Sequence, residues 1–301
     1  MPNASGIQVQ LSYIAEVTQG TTPGTPTMKL LRTISRDINP AKTILESEET
    51  NADRNIRSIR HGFESTTGQF TAELAPIDYD DILQAALGGT WTADVLKVGT
   101  VNRTFTFEKR YPDITQYQVF RGVAINELTI GIQPDAIVSL SASVVGMSFA
   151  AMSGTTLGSP TAPTGDEPYT SFSGAVLEGG ASIGIITGIT FTINNNKSVT
   201  PVVGSKNAPD VQQGMASVSG TVTVHLPDAA LFNKFQAETI SSLSVQLTQG
   251  TKGITFLFPK VKYTGGNINP PATGPVILEL PFVAYYDSVT GTSLQITRDN
   301  T

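Results

Sequence analysis

One short pattern occurs twice in this chain, and it limits the possible folds more than any other feature. Gly62, Ser65, Gly68 and Leu74 stand at the same spacings as Gly214, Ser217, Gly220 and Leu226. Each leucine is followed within two residues by a proline, Pro76 or Pro227, and then by an aspartate, Asp78 or Asp228. Each copy then runs into a short amphipathic helix, carried by Ile82, Leu83, Ala86 and Leu87 in the first half and by Leu231, Phe232 and Phe235 in the second. Upstream, Ile38-Asn39 matches Ile193-Asn194, each ahead of a polar loop, and several strand-like runs follow each helix. Self-similarity in register over this many positions marks one supersecondary plan used twice. The expected fold is therefore mainly β: two tandem β-sandwich domains, each with one short flanking α-helix and a long loop. The boundaries expected are an N-terminal arm at 1–28, a first domain at 29–155, a linker at 156–175 and a second domain at 176–301.

The local reading fills in this frame. Pro23 and Pro26 with Gly20 and Gly24 interrupt the first segment after one apolar run, so 1–28 reads as an arm. The stretch from Asn39 to Arg60 is too polar for a core strand, and a loop of that length in a compact domain has a task such as covering a neighbour. Thr67 to Leu74 alternates apolar and polar residues as a half-buried strand does. Asp78, Asp80 and Asp81 then open a helix as capping acids, and Gly88-Gly89 stops it. Strands are expected at 103–109, 116–121, 124–133 and 136–149, and again at about 243–249, 254–263, 276–286 and 293–297. Residues 151–168 are rich in Gly, Ser, Thr and Pro and read as a linker.

Chemistry is excluded more readily than found. The chain has no cysteine, which removes disulfides, thiolate catalysis and Cys-ligated zinc. The net charge of −6 is spread over both halves, so no basic face is available to displace counterions from nucleic acid. The start of the chain lacks the pattern of a signal peptide, and no apolar run approaches the ~20 residues of a membrane helix. His61, beside a turn glycine, and His225, in a strand, are far apart in sequence and make no metal site. Asp78, Asp80 and Asp81 lack the glycine and terminal glutamate of a calcium loop. No phosphate loop and no Gly-x-Ser-x-Gly elbow occurs. Trp91 reads as an anchor of the helix exit, and Tyr285-Tyr286 as core and rim. The sequence thus predicts no catalytic, cofactor-binding or metal-binding residues, no cofactor and no enzyme. Two other classes compete with a structural role: a β-sandwich adhesin, which would show exposed aromatics on one face, and a glycoside-processing enzyme, which would need a placed pair of acids.

Several segments together resemble the tail tube proteins of long, non-contractile-tailed bacteriophages. Tyr13, Glu16, Gly20, Thr22 and Pro23 look like that family's N-terminal arm. Ser47-Glu48 to Asp53-Arg54, then Gly62, look like its long loop. The run Gly68-Gln69-Phe70-Thr71-Ala72-Glu73-Leu74 followed by Tyr79-Asp80 looks like its strand-to-helix step, and Leu87-Gly88-Gly89-Thr90-Trp91 like its helix exit. Phe105-Thr106-Phe107-Glu108 and Phe120-Arg121-Gly122, then Asn126, look like later strands.

The resemblance implies domains whose sheets join between subunits into one large β-barrel, in a ring of six domains that stacks into a tube for genome passage. With two domains per chain, three chains would complete a pseudo-sixfold ring. It also implies a virion tail location after synthesis in the host cytoplasm, and partners beyond the chain itself: a tape measure protein in the lumen, and tail terminator and distal tail proteins at the ends. DNA would pass without specific binding, and no membrane is involved. The arm and the polar loop are the expected contact elements, through Tyr13, Glu16, Glu46, Glu48, Glu49, Arg54, Arg57 and Arg60. The three glutamates and three arginines are expected to pair within or between rings, and residues 67–74 and 218–225 to face the lumen.

Overall fold

Residues 139–146 alternate serines with apolar side chains until Val145, and a strand sends the two kinds to opposite faces. The computed structural model describes residues 3–50, 52–182, 186–226 and 229–299, and it is built mainly from such strands. Pro227 and Asp228 of the sequence repeat lie outside the described residues. The first half contains β1 (Gln10–Ala15), β2 (Lys29–Leu31), β3 (Ser35–Glu46), β4 (Ile59–Glu73), α1 (Asp80–Leu87), β5 (Val95–Lys97), β6 (Phe105–Tyr111), β7 (Gln116–Ile132), β8 (Ser139–Gly146) and β9 (Ser148–Phe149). The second contains β10 (Gly174–Glu178), β11 (Ala181–Ser182), β12 (Ile186–Asn194), β13 (Ser198–Val199), β14 (Val211–Gln212), β15 (Ser217–His225), α2 (Ala230–Gln236), β16 (Ser241–Gln249), β17 (Lys252–Tyr263), β18 (Asn267–Asn269), β19 (Ile277–Ala284) and β20 (Gln295–Asp299).

The two halves pair their strands in the same order. In the first, antiparallel neighbours run β3, β4, β8, β7, β6, β1. In the second they run β12, β15, β19, β17, β16, β10. The long strands β7 and β17 each serve two layers: their C-terminal parts pair with β8 and β19, their N-terminal parts with β6 and β16. Gly68 lies opposite Ile38 and Val144, and Gly220 lies opposite Phe191 and Phe282. The register therefore gives Phe191, not Ile193, the position that Ile38 holds. Gly68 has φ +145°, and a Cβ there would sit 2.0 Å from the Asp37 carbonyl oxygen, so only glycine fits. Leu74 and Leu226 also correspond, each donating its N–H into the approach to the next strand, at Val138 and Val276. Gly62 and Gly214 do not: Gly62 lies inside β4 rather than in a turn, and Gly214 lies in a loop after β14.

The halves are joined by β7 and β12, which pair from Glu127↔Asn194 to Ile132↔Ile189. One sheet thus runs β3-β4-β8-β7-β12-β15-β19, and among the described residues it does not close on itself. Its core face carries Phe70, Phe191 and Phe282. Phe70 meets Phe107 of the other layer at 6.2 Å between ring centroids, and Phe191 meets Phe256 and Phe258 at 5.1 Å. The other face is hydroxyl-rich. One row across five strands reads Thr71, Ser141, Thr129, Thr192 and Ser219, and the next reads Glu73, Ser139, Gly131, Thr190 and Thr221.

Three expectations are corrected by packing. The segment expected as an arm at 1–28 is not one over its described residues, because β1 lies between β2 and β6 with Leu11 and Tyr13 buried. The polar loop is strand at both ends, because β3 and β4 continue as a hairpin from Asn39↔Thr67 to Glu46↔Ile59; hairpin pairing satisfies that backbone whatever the side chains. The linker is docked rather than free. Thr161 bonds to Met28 and Leu30, and buried Tyr169 bonds to Leu74 and Val138.

The acids at α1 also act differently from expectation. Tyr79 occupies the N-cap and makes no side-chain capping bond. Asp78 meets Arg32 and accepts from the Thr164 N–H at 2.9 Å. Asp80 pairs with Arg298, and Asp81 with Lys29 at 2.6 Å. Arg298 also lies 4.3 Å from the Trp91 ring centroid, so the C-terminal strand β20 is clamped to the helix exit.

Candidate assembly surface

The β3–β4 hairpin outruns the core beneath it. Ile38 is fully buried, but beyond the register shift between Lys42 and Ile44 the strands project into solvent. Ile44, Leu45, Ile56 and Ile59 are all more than half exposed there. Scattered exposed apolar residues are ordinary, whereas four on one projecting hairpin make it a candidate contact surface. Among the described residues, β3 pairs only with β4, and β18, which continues the β17 side of the sheet, pairs only with β19. Such edges offer unpaired backbone groups to another strand.

The expected contact residues divide into two groups. Glu46, Glu48, Glu49, Arg54, Arg57 and Arg60 are exposed on the hairpin and its tip. Arg57 pairs with Asp53 in the tip, and among the described residues no ion pair joins the three glutamates to the three arginines. Tyr13 and Glu16 lie instead within the fold. The Tyr13 hydroxyl donates to Asp81 at 3.2 Å, and burial, reinforced by Asp81, pushes its pKa up. Glu16 accepts from Thr104 and Thr106 at 2.7 Å, Gly20 N–H at 2.8 Å and Gly122 N–H at 2.9 Å. These bonds fix the turn after β1.

The second half carries its own loop, 195–216, between β12 and β15, and this one is docked on the first half. Glu64 N–H donates to the Lys206 carbonyl at 2.7 Å, and Asn102 Nδ2 to the Val211 carbonyl at 2.6 Å. Ala208 and Val211 are buried in a small cluster with Ala124 and Met147, against Phe63 and Val145. Lys197 is buried beside this junction, with no partner for its ammonium. Burial, and then the nearby Arg103, lower its pKa to about 8. Because the folded pKa is depressed for a base, the penalty is full below about pH 8 and vanishes as pH rises toward the unfolded value. Lys197→Met is expected to stabilise the chain by up to ~3 kcal/mol at pH 7. Urea titrations at pH 7 and pH 10 check this: the gain must shrink at the higher pH.

The aliphatic residues of the hairpin were missed from sequence because they lie in a segment dominated by charge. The available signal was four large aliphatics that match no alternation.

A model of the phage tail tube protein family matches residues 6–284. The chain belongs to the phage tail tube protein family. Its role is structural and non-enzymatic, in the virion tail, and membership implies self-assembly into a tube. No curated protein matches the chain. No helix among the described residues is long and apolar enough to cross a membrane.

Proposed function

We propose that this chain is a double tube subunit: two sandwich domains in tandem, with three chains closing a pseudo-sixfold ring, and rings stacking around a lumen. The observation that carries the reading is the β7–β12 join between halves that pair their strands in the same order. β18 lies against β19 as the C-terminal part of β7 lies against β8, and β3 lies against β4 as β12 lies against β15. Repeating the internal join between chains sets β3 of one copy beside β18 of the next, with Ile38 opposite Ile268 and Asn39 opposite Asn267. Three such joins leave no open edge in the ring, and closure removes the aggregation hazard of edges.

The hydroxyl-rich face then lines the lumen, consistent with the placing of residues 67–74 and 218–225 there. Its two rows carry a glutamate but no lysine or arginine, so the wall makes no fixed contacts to phosphate. DNA can slide past such a wall in a non-contractile tail, and a tape measure protein can occupy it before ejection, with terminator and distal tail proteins at the ends. Stacking of rings is a heterologous contact that builds an open filament. Native mass spectrometry of rings, with rotational classification of end-on images, tests the symmetry. Three chains per ring are expected; six full chains would defeat the reading.

A further inference from the structure

We infer that the β3–β4 hairpin of one copy docks in trans on an apolar patch of the next copy in the same ring, formed by Met215, Val283 and Tyr285. The inference rests on the ring reading above and names the surface that would lock it.

The internal join supplies the template. Counting from the matched glycines and their partners, Val145 corresponds to Val283 and Met147 to Tyr285, and Met215 stands five residues before Gly220 as Phe63 stands five before Gly68. In the first half these positions are covered by loop 195–216, which leaves Met147 only 6% exposed. In the second half the same positions are bare: Met215 is 84% exposed, Val283 41% and Tyr285 36%. Loop 195–216 leaves β12, the strand that pairs with β7, and folds over the half that owns β7. The corresponding segment of the first half is the far end of the β3–β4 hairpin, with Ile44, Leu45, Ile56 and Ile59 uncovered. Each half therefore has a patch and a segment to cover a patch. The chain satisfies one such contact within itself and leaves one segment and one patch free, at opposite ends of the β3-to-β19 sheet. A second copy placed by the β3–β18 pairing brings the free segment to the free patch.

The absence of native cysteine makes the test direct. Two double variants, Ile56→Cys with Tyr285→Cys and Leu45→Cys with Met215→Cys, all at exposed positions, are assembled and treated with a short bismaleimide. The expected denaturing gel shows linked species ending at three chains. Assembled rings that yield only single chains from both variants would overturn the docking while leaving the ring itself standing. A ladder continuing past three chains would also overturn it, by placing the hairpin on another ring. Failure of the parent chain to form any ring would remove the underlying reading and the docking with it.

Discussion

A chain in which residues 47–58 are replaced by Asn-Gly is expected to stay folded and to lose tube formation. Folding should survive because Glu46 and Ile59 are paired across the hairpin, so a two-residue turn closes the gap in the geometry that such turns favour. The excised tip is tied mainly by local contacts, among them the Asp53–Arg57 pair and the Ser47 N–H bond to the Ser58 carbonyl. Shortening a loop also lowers its closure entropy, by roughly 0.6 kcal/mol for each halving. Assembly should fail because the tip carries Ile56 with Glu48, Glu49, Arg54 and Arg57, which face outward. Burying one such aliphatic side chain contributes ~1.5–3 kcal/mol per contact, and a closed ring needs the contact at every junction at once. Negative-stain images and a circular dichroism melt of the same sample check both halves of the statement. Tubes of normal length from this variant would show that the hairpin tip is not an assembly element.

The sequence disclosed this fold where a residue type is dictated by backbone geometry. Gly68 and Gly220 sit where strands approach too closely for a side chain, so they survive in both halves and reveal the shared pairing order. Leu74 and Leu226 are retained for a similar reason, since each marks the exit from the strand toward the next one. Features that depend on contacts distant in sequence were not legible. Nothing local tells that the run around Tyr13 is a core strand, because its partners Phe105 and Phe107 come much later. A segment poor in apolar residues reads as a free linker until Tyr169 is seen buried against the first half. The candidate surface was legible only in part. Charge drew attention to the hairpin, while its exposed aliphatics and the bare patch of Met215, Val283 and Tyr285 follow only from the folded chain.

Replacing Glu108 by alanine is expected to destabilise the chain by ~3–5 kcal/mol, the largest effect foreseen for a single residue. Glu108 is fully buried on β6. Its carboxylate accepts from Arg110 Nη1 at 2.6 Å, the Leu157 N–H at 2.7 Å and the Thr156 hydroxyl at 3.2 Å. Arg110 in turn donates to the Gly158 carbonyl at 2.8 Å and lies 5.3 Å from the Tyr117 ring centroid. The alanine variant leaves a nearly buried guanidinium without its counter-charge and the Leu157 N–H without its acceptor, and each orphan carries a desolvation penalty. A shift of roughly 1.5–2 °C in Tm per kcal/mol follows for a chain of this size. The connection between the halves should suffer first, because Thr156, Leu157 and Gly158 belong to it, and faster proteolysis at that segment than elsewhere would report the local opening. The paired change Glu108→Met with Arg110→Met separates charge from shape: removing both ions together should recover most of the loss. A Glu108→Ala variant that melts with the parent chain would mean that the buried pair does not hold the connecting segment in place, and the fixed relation between the halves would then rest on their other contacts, among them the β7–β12 and β5–β20 pairings and the docked loop 195–216.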